Sequence, residues 1–139
     1  MMVLDTNVVS ELMRAAPESA VLNWLDAQPS SELWLTAVVA AELMFGVARL
    51  PEGGRKQQLA HNVAAMLEQD FAGQVLAYDL AAASIYAELV AQRERTGRPI
   101  AMADAQIAAI CLAHGASLVT RNEKDFDGLG LMVINPWNR

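Results

Sequence analysis

The sequence predicts an α/β fold: a central, mostly parallel sheet of four to five short strands with helices packed on its faces. Three observations carry this. Short apolar segments alternate along the chain with stretches of helical period, which is the pattern of strands joined by helical crossovers. The strand segments are apolar almost throughout rather than alternating, as expected of strands covered on both faces. And 139 residues with 54% hydrophobic content suffice for one core but not two. With no internal repeat, linker or low-complexity segment, residues 1–139 read as a single domain.

Each element has its own warrant. Val3–Asp5 is a first strand, and Thr6-Asn7 offers N-cap chemistry for a helix over Val8 to Arg14. Pro17-Glu18-Ser19 opens a second helix, with Val21, Leu22 and Leu25 on one face, that stops before Pro29. Leu33–Thr36 is a strand, and Thr36 is placed to cap the long helix that carries Glu42 and ends at Arg49-Leu50, before Pro51 and the Gly53-Gly54 turn. Leu59, Val63, Met66 and Leu67 give Lys56 to Phe71 a helical period. After Gly73 comes a strand, Val75–Tyr78, and Asp79 is a natural N-cap for a helix to Arg95. Gly97 and Pro99 mark a loop. Ala101 to His114 is helical, with Gly115 at its C-cap, and Leu118–Thr120 and Leu131–Ile134 complete the strands.

Composition excludes some functions. The net charge of −6 argues against a broad basic face for nucleic acid. Basic residues nevertheless gather at Arg93, Arg95 and Arg98, at Arg55-Lys56, and at Arg121 and Lys124. A single cysteine, Cys111, rules out an internal disulfide and reads as a small buried hydrophobe. No cationic segment leads an apolar one at the start, so no secretory signal is visible. The uncharged stretch from Ala105 to Thr120 is shorter than the roughly 18 residues of a membrane span. A reduced, soluble, cytoplasmic protein is expected.

Four acids stand in unexpected company. Asp5 ends the run MMVL, Glu42 interrupts LTAVVAAELMFGVA, Asp104 interrupts PIAMADAQIAAICLA, and Asp125 closes LVTRNEKDF. A buried carboxylate is costly unless something pairs with it, and no Lys or Arg is an obvious sequence neighbour of Asp5, Glu42 or Asp104. Ligand sites of parallel sheets gather at the carboxyl ends of strands, where all four acids could meet. At roughly 4 Å two such charges repel by about 4 kcal/mol at an intermediate dielectric, so their convergence calls for a divalent cation. Oxygen ligands without a His or Cys cluster favour Mg²⁺, with Mn²⁺ as the alternative. His61 and His114 are isolated and read as surface or packing residues. Each acid also has a plainer role: Asp5 and Asp104 as helix-dipole charges, Glu42 as a buried hydrogen-bonded acid, Asp125 as a loop residue. Thr6, Asn7 and Ser10 could be caps only, and Thr120 and Asn122 turn residues.

These same residues carry a family resemblance. Asp5-Thr6-Asn7-Val8-Val9-Ser10 resembles the DTNxxS opening of PIN-domain proteins. Ala41-Glu42-Leu43 with Gly46 is similar to their second motif, Asp104-Ala105 with Ile107-Ala108-Ala109 to the third, and Thr120-Arg121-Asn122-Glu123-Lys124-Asp125-Phe126 to the fourth. The match spans essentially the whole chain, and Asn135-Pro136-Trp137 resembles the ending of a toxin subgroup. The resemblance is to VapC-type toxins. It implies a PIN-like three-layer sandwich and a Mg²⁺- or Mn²⁺-dependent endoribonuclease that slows translation. Asp5, Glu42 and Asp104 would form the acidic centre with Asp125 in support. It also implies a homodimer neutralised by a small antitoxin whose other part binds operator DNA. Asn122 departs from members that carry an aspartate there. An amide is a weaker ligand, which leaves the number of metals open. Arg93, Arg95 and Arg98, just ahead of Asp104, are expected to contact RNA phosphates, and Trp24, Trp34 and Trp137 are candidates for partner surfaces.

Two other readings compete. A catalytically inactive PIN domain would act only as a binding partner in operon regulation. A receiver or phosphatase domain would need an acid pair after the first strand and a downstream lysine, and Asp5-Thr6-Asn7 supplies neither.

Overall fold

A computed structural model describes residues 1–138. Its five strands are β1 (Met2–Leu4), β2 (Leu33–Thr36), β3 (Val75–Leu76), β4 (Ser117–Val119) and β5 (Val133–Ile134). The six helices are α1 (Thr6–Leu12), α2 (Ser19–Asp26), α3 (Ala37–Ala48), α4 (Gly54–Ala65), α5 (Leu80–Arg95) and α6 (Met102–His114). The strands form one sheet in the order β3-β2-β1-β4-β5, and every pairing is parallel. The expected α/β sandwich is therefore present, with a sheet that is wholly rather than mostly parallel.

The strand order decides where a site can form. From β1 the chain builds outward to β2 and β3, then returns to the other flank of β1 for β4 and β5. The order reverses between β1 and β4, and a crevice opens at the carboxyl edge of a parallel sheet at such a point. Met2, Val3 and Leu4 lie opposite Ser117, Leu118 and Val119, so the residues just beyond, Asp5 and Thr120, are neighbours at that crevice.

Burial explains the strand composition. Val3, Leu4, Leu35, Leu118 and Val119 are essentially inaccessible, and helix α6 adds Ala105, Ile107, Ala108, Ala109, Ile110 and Cys111. A helix this apolar around its circumference is one the core encloses, and α6 packs on α5, α3 and β4. Cys111 lies within it, its thiol pushed up to about 12 mainly by burial. Among the described residues no helix is long and apolar enough to cross a membrane.

Local signals settle most boundaries. The Thr36 hydroxyl accepts the Val39 N–H at 3.0 Å and caps α3. Asp79 accepts the Ala82 N–H at 3.0 Å and caps α5. Gly115 ends α6 at φ +62°, a left-handed conformation that costs a side-chain-bearing residue but not glycine. Helix α4 starts at Gly54 rather than Lys56 and widens at Met66–Asp70, where the Phe71 N–H reaches back five residues to the Met66 carbonyl at 3.0 Å. One cap differs from expectation. Asp5, not Thr6 or Asn7, is the N-cap of α1, so Thr6 and Asn7 lie inside the helix and their side chains are left for other partners.

Candidate active site

Asp5 is the fixed point. Only 4% exposed, it extends β1 through its N–H to the Val119 carbonyl at 2.9 Å. Its carboxylate collects three donors. Oδ1 accepts the Thr6 N–H at 2.8 Å, while Oδ2 accepts the Thr120 hydroxyl at 2.8 Å and the Asn7 amide at 3.3 Å. Burial still dominates and holds its pKa above the usual carboxylate range; the three donors oppose that, and repulsion from Glu42 adds to it.

Thr120 is as fully engaged. It is inaccessible to solvent, and its single hydroxyl proton goes to Asp5. Its oxygen accepts the Asn7 amide at 3.0 Å and the Asn122 N–H at 3.1 Å. One donor and two acceptor positions are all a hydroxyl has, so no capacity remains for a substrate. Asn7 completes the loop by accepting the Arg121 N–H at 3.1 Å. Asn122 thus joins the network through its backbone N–H.

Thr6 bridges to the second acid, its hydroxyl donating to Glu42 Oε1 at 2.6 Å. Glu42 itself is exposed. The expectation of a buried acid in an apolar stretch fails here because the stretch is itself partly uncovered: Met44 is 50% and Phe45 64% exposed.

Asp104, in the first turn of α6, is half-buried. Its pKa is pushed up to about 6, first by burial, then by repulsion from Asp5, Asp125 and Glu42 in that order. The four acids therefore share one electrostatic neighbourhood at the carboxyl edge. Among the described residues none of them forms an ion pair. Equally, no three carboxylate, histidine or cysteine groups among those residues stand at ready ligating spacing.

Three of the four acids line two clefts. One, of about 320 Å³, runs between α1, α3 and α4 and takes in Thr6, Ser10, Arg14, Glu42 and Arg55. The other, of about 400 Å³, holds Asp104 and Asp125 with Arg93, Arg98 and Lys124. Ser10 thus lines the first cleft, one turn beyond Thr6, and among the described residues makes no hydrogen bond to Asp5.

The basic cluster divides. Arg95 is exposed, and Arg98 is half-exposed with its guanidinium 3.9 Å from Asp127. Arg93 is 7% exposed and spends its guanidinium on backbone carbonyls. The expectation that Arg93 grips phosphate is corrected accordingly: its side chain is nearly buried and gives three hydrogen bonds to backbone carbonyls rather than standing free for RNA. Sequence reasoning also passed over Glu11, which is nearly buried and accepts the Glu18 N–H at 2.9 Å. That bond, more than its Arg14 partner, lowers its pKa. The i, i+3 spacing to Arg14 was the available signal. Arg14 and Arg55 at the first cleft were likewise unmarked as site residues. His61 and His114 are exposed, and Trp24, Trp34 and Trp137 are partly buried against the core.

A parallel sheet with a carboxylate cluster at its switch point defines a class, and comparison with known proteins narrows it. Residues 2–130 match the PIN domain. The chain is 45% identical to VapC ribonuclease Y4jK of Sinorhizobium fredii, over 99% of this chain and 98% of that one. It is 37% identical to toxin FitB of Neisseria gonorrhoeae, over 99% of each. Among solved structures, FitAB bound to a DNA fragment superposes with a TM-score of 0.92 at 36% identity, covering 99% of this chain and 96% of that one. The chain belongs to the PIN-domain family, among the VapC-type ribonuclease toxins.

Proposed function

We propose that this chain, acting as one nuclease domain, is the toxin of a bacterial toxin–antitoxin pair: a metal-dependent endoribonuclease that cleaves RNA in the cytoplasm and slows translation. Relatives named as a ribonuclease and a toxin, matched end to end, support the class. The observation that carries the chemistry is the convergence of Asp5, Glu42, Asp104 and Asp125, from four separate stretches, on one sheet edge with no basic partner among the described residues.

The donor set fits a hard divalent cation. All four groups are carboxylates, two of them pushed towards the protonated form by burial and mutual repulsion, and a cation relieves that repulsion. Asp5 and Asp104 would hold Mg²⁺ or Mn²⁺, joined by Glu42 and Asp125. When bound, such an ion supplies Lewis acidity and an activated water at the phosphorus. The chain's own part is positional. Thr120 and Asn7 fix the Asp5 carboxylate, and Thr6 tethers Glu42 by one oxygen. The exposed Glu42 and Asp125 side chains have the rotamer freedom to complete a ligand set. Arg14 and Arg55 on one side, and Arg98 and Lys124 on the other, flank the acids where an RNA backbone would approach.

By the same reading the protein is a homodimer. It is neutralised by a small antitoxin that presents a basic group to the acids and carries the DNA-binding part, so operator DNA is met only through the antitoxin. The relative solved as FitAB on DNA supports that arrangement. The test is purified protein on RNA with Mg²⁺, Mn²⁺ or EDTA. Cleavage with either ion and none with EDTA is the expected result. Unchanged cleavage in EDTA overturns the metal chemistry, and harmless expression without the antitoxin favours an inactive, binding-only domain.

A further inference from the structure

Arg93 belongs to the last turn of α5, yet its side chain joins the loop just after that helix to a segment more than thirty residues further on. Nη2 donates to the Asp127 carbonyl at 2.7 Å and to the Asp125 carbonyl at 3.3 Å. Nη1 donates to the Arg98 carbonyl at 3.5 Å, and the Arg93 carbonyl accepts the Arg98 N–H at 2.9 Å. Among the described residues no carboxylate pairs with this 7% exposed guanidinium. A buried charge held by carbonyls alone is a costly arrangement, so its geometry has a purpose that a leucine would not serve.

One segment it touches carries Asp125 and the other leads into α6, which carries Asp104; neither has more than sparse backbone bonding of its own, although Phe126 anchors the first in the core. Asp125 sits in a single turn of 3₁₀ helix, Glu123–Phe126, closed by backbone bonds of 3.2 and 3.3 Å. The Arg98 segment leads through Pro99 into α6, whose N-cap, Ala101, offers no side-chain cap. Arg93, Asp104 and Asp125 line one cleft. A guanidinium is a rigid planar fork able to meet several oxygens at fixed angles, whereas a lysine ammonium is a single point on a flexible stem.

We propose that Arg93 is a positioning residue, a clamp that locks the Asp125 turn and the segment before α6 together so that Asp104 and Asp125 face one cation. This rests on the nuclease reading above. It replaces a phosphate contact by a wholly intramolecular role. Loss of the fork frees the Asp125 turn, weakens cation binding, and leaves RNA affinity almost untouched, since the Nη atoms are turned to backbone carbonyls and only 7% of the residue is exposed.

The experiment compares the full-length protein with Arg93→Lys and Arg93→Met. Three quantities are read: Mn²⁺ binding without RNA by electron paramagnetic resonance, kcat and KM on a short RNA, and amide hydrogen exchange. In Arg93→Lys, Mn²⁺ affinity and kcat should each fall by about 10-fold or more, the size expected when support for a ligand is removed. KM should change less than about 2-fold, with faster exchange at 122–127 and no change in α1. Arg93→Met should be at least as severe, and if it does not fold, Arg93→Lys alone decides. A rise in KM with Mn²⁺ binding intact overturns the clamp in favour of a phosphate contact. Unchanged exchange and Mn²⁺ binding overturn it outright. Wild-type protein that binds Mn²⁺ but cuts no RNA removes the ribonuclease reading alone, because binding and exchange still judge the clamp. Wild-type protein that binds no Mn²⁺ removes both.

Discussion

Asp5 and Glu42 are linked through two groups of one residue, since the Thr6 N–H holds the first and the Thr6 hydroxyl the second. Their surroundings are opposite. Asp5 is sealed at the end of β1 with three donors on its two oxygens, while Glu42 stands on the exposed face of α3 with one. The sealed acid is placed in advance at the cost of desolvation, which its raised pKa records. The exposed acid bears no such cost and keeps its freedom to move. Such a site combines a fixed anchor with an adaptable arm, and the two should respond differently to mutation.

The largest effect is expected at the anchor. Asp5→Ala should lower RNA cleavage at least about 1,000-fold, since a ligand to the cation and the centre of the network go together. Stranding the Thr120 and Asn7 donors costs about 1–3 kcal/mol, partly offset by relief of Asp104, so the variant stays folded. Circular dichroism with a cleavage assay checks both. Activity within about 10-fold of wild type would show that Asp5 only caps α1.

Next comes the group behind the anchor. Thr120→Val keeps shape but removes the hydroxyl that one donor–acceptor network shares, leaving Asn7, Asn122 and Asp5 short of a partner. A loss of about 2 kcal/mol in stability and about 10- to 100-fold in activity is expected, with Thr120→Ser restoring most of both. If Thr120→Ser is as poor as Thr120→Val, the methyl packing matters and the network does not.

Glu42→Gln should be milder: about 10-fold in activity, with stability unchanged within about 0.5 kcal/mol because the position is exposed. A drop equal to that of Asp5→Ala would erase the distinction between anchor and arm.

How much of this the sequence discloses follows the same division. Thr36, Asp79 and Gly115 act through backbone a few residues away, and local signals of that kind are legible. A shared carboxyl edge for the four acids is legible too, since parallel strands end on one side, but the pairing of β4 with β1 that sets Thr120 against Asp5 joins strands distant in sequence and was not. The inward turn of Arg93 was not legible, since its partners are carbonyls, two of them more than thirty residues downstream, and a carbonyl has no sequence signature. The exposure of Glu42 was hidden for another reason. An apolar run normally means burial, but α3 carries more apolar surface than this chain covers, with Met44 and Phe45 open. The reversal of the α1 cap was subtler: Asp, Thr and Asn are all good caps, and three stand in a row at Asp5-Thr6-Asn7.

The smallest expected effect sets Asp104 beside the anchor and arm, and it is read without substrate. Its pKa of about 6 in the folded protein exceeds that of the unfolded chain, so between about pH 4 and 6 the native state binds more protons. The stability this group contributes is present below that window and is lost as pH rises through it. A shift of this size corresponds to nearly 3 kcal/mol at full strength. For a half-exposed carboxyl, solvent screening leaves about 1 kcal/mol over the whole window; about half of it falls between pH 5 and pH 7.5, or about 2 °C in melting temperature for a chain of this length. Asp104→Asn should lose that slope. Millimolar Mg²⁺ or Mn²⁺ should raise the wild-type melting temperature at pH 7.5 and do little at pH 5, where the carboxyl competes for a proton instead. A wild-type slope that Asp104→Asn does not alter, or a metal response equal at both pH values, would place the repulsion elsewhere and leave Asp104 outside the cation site.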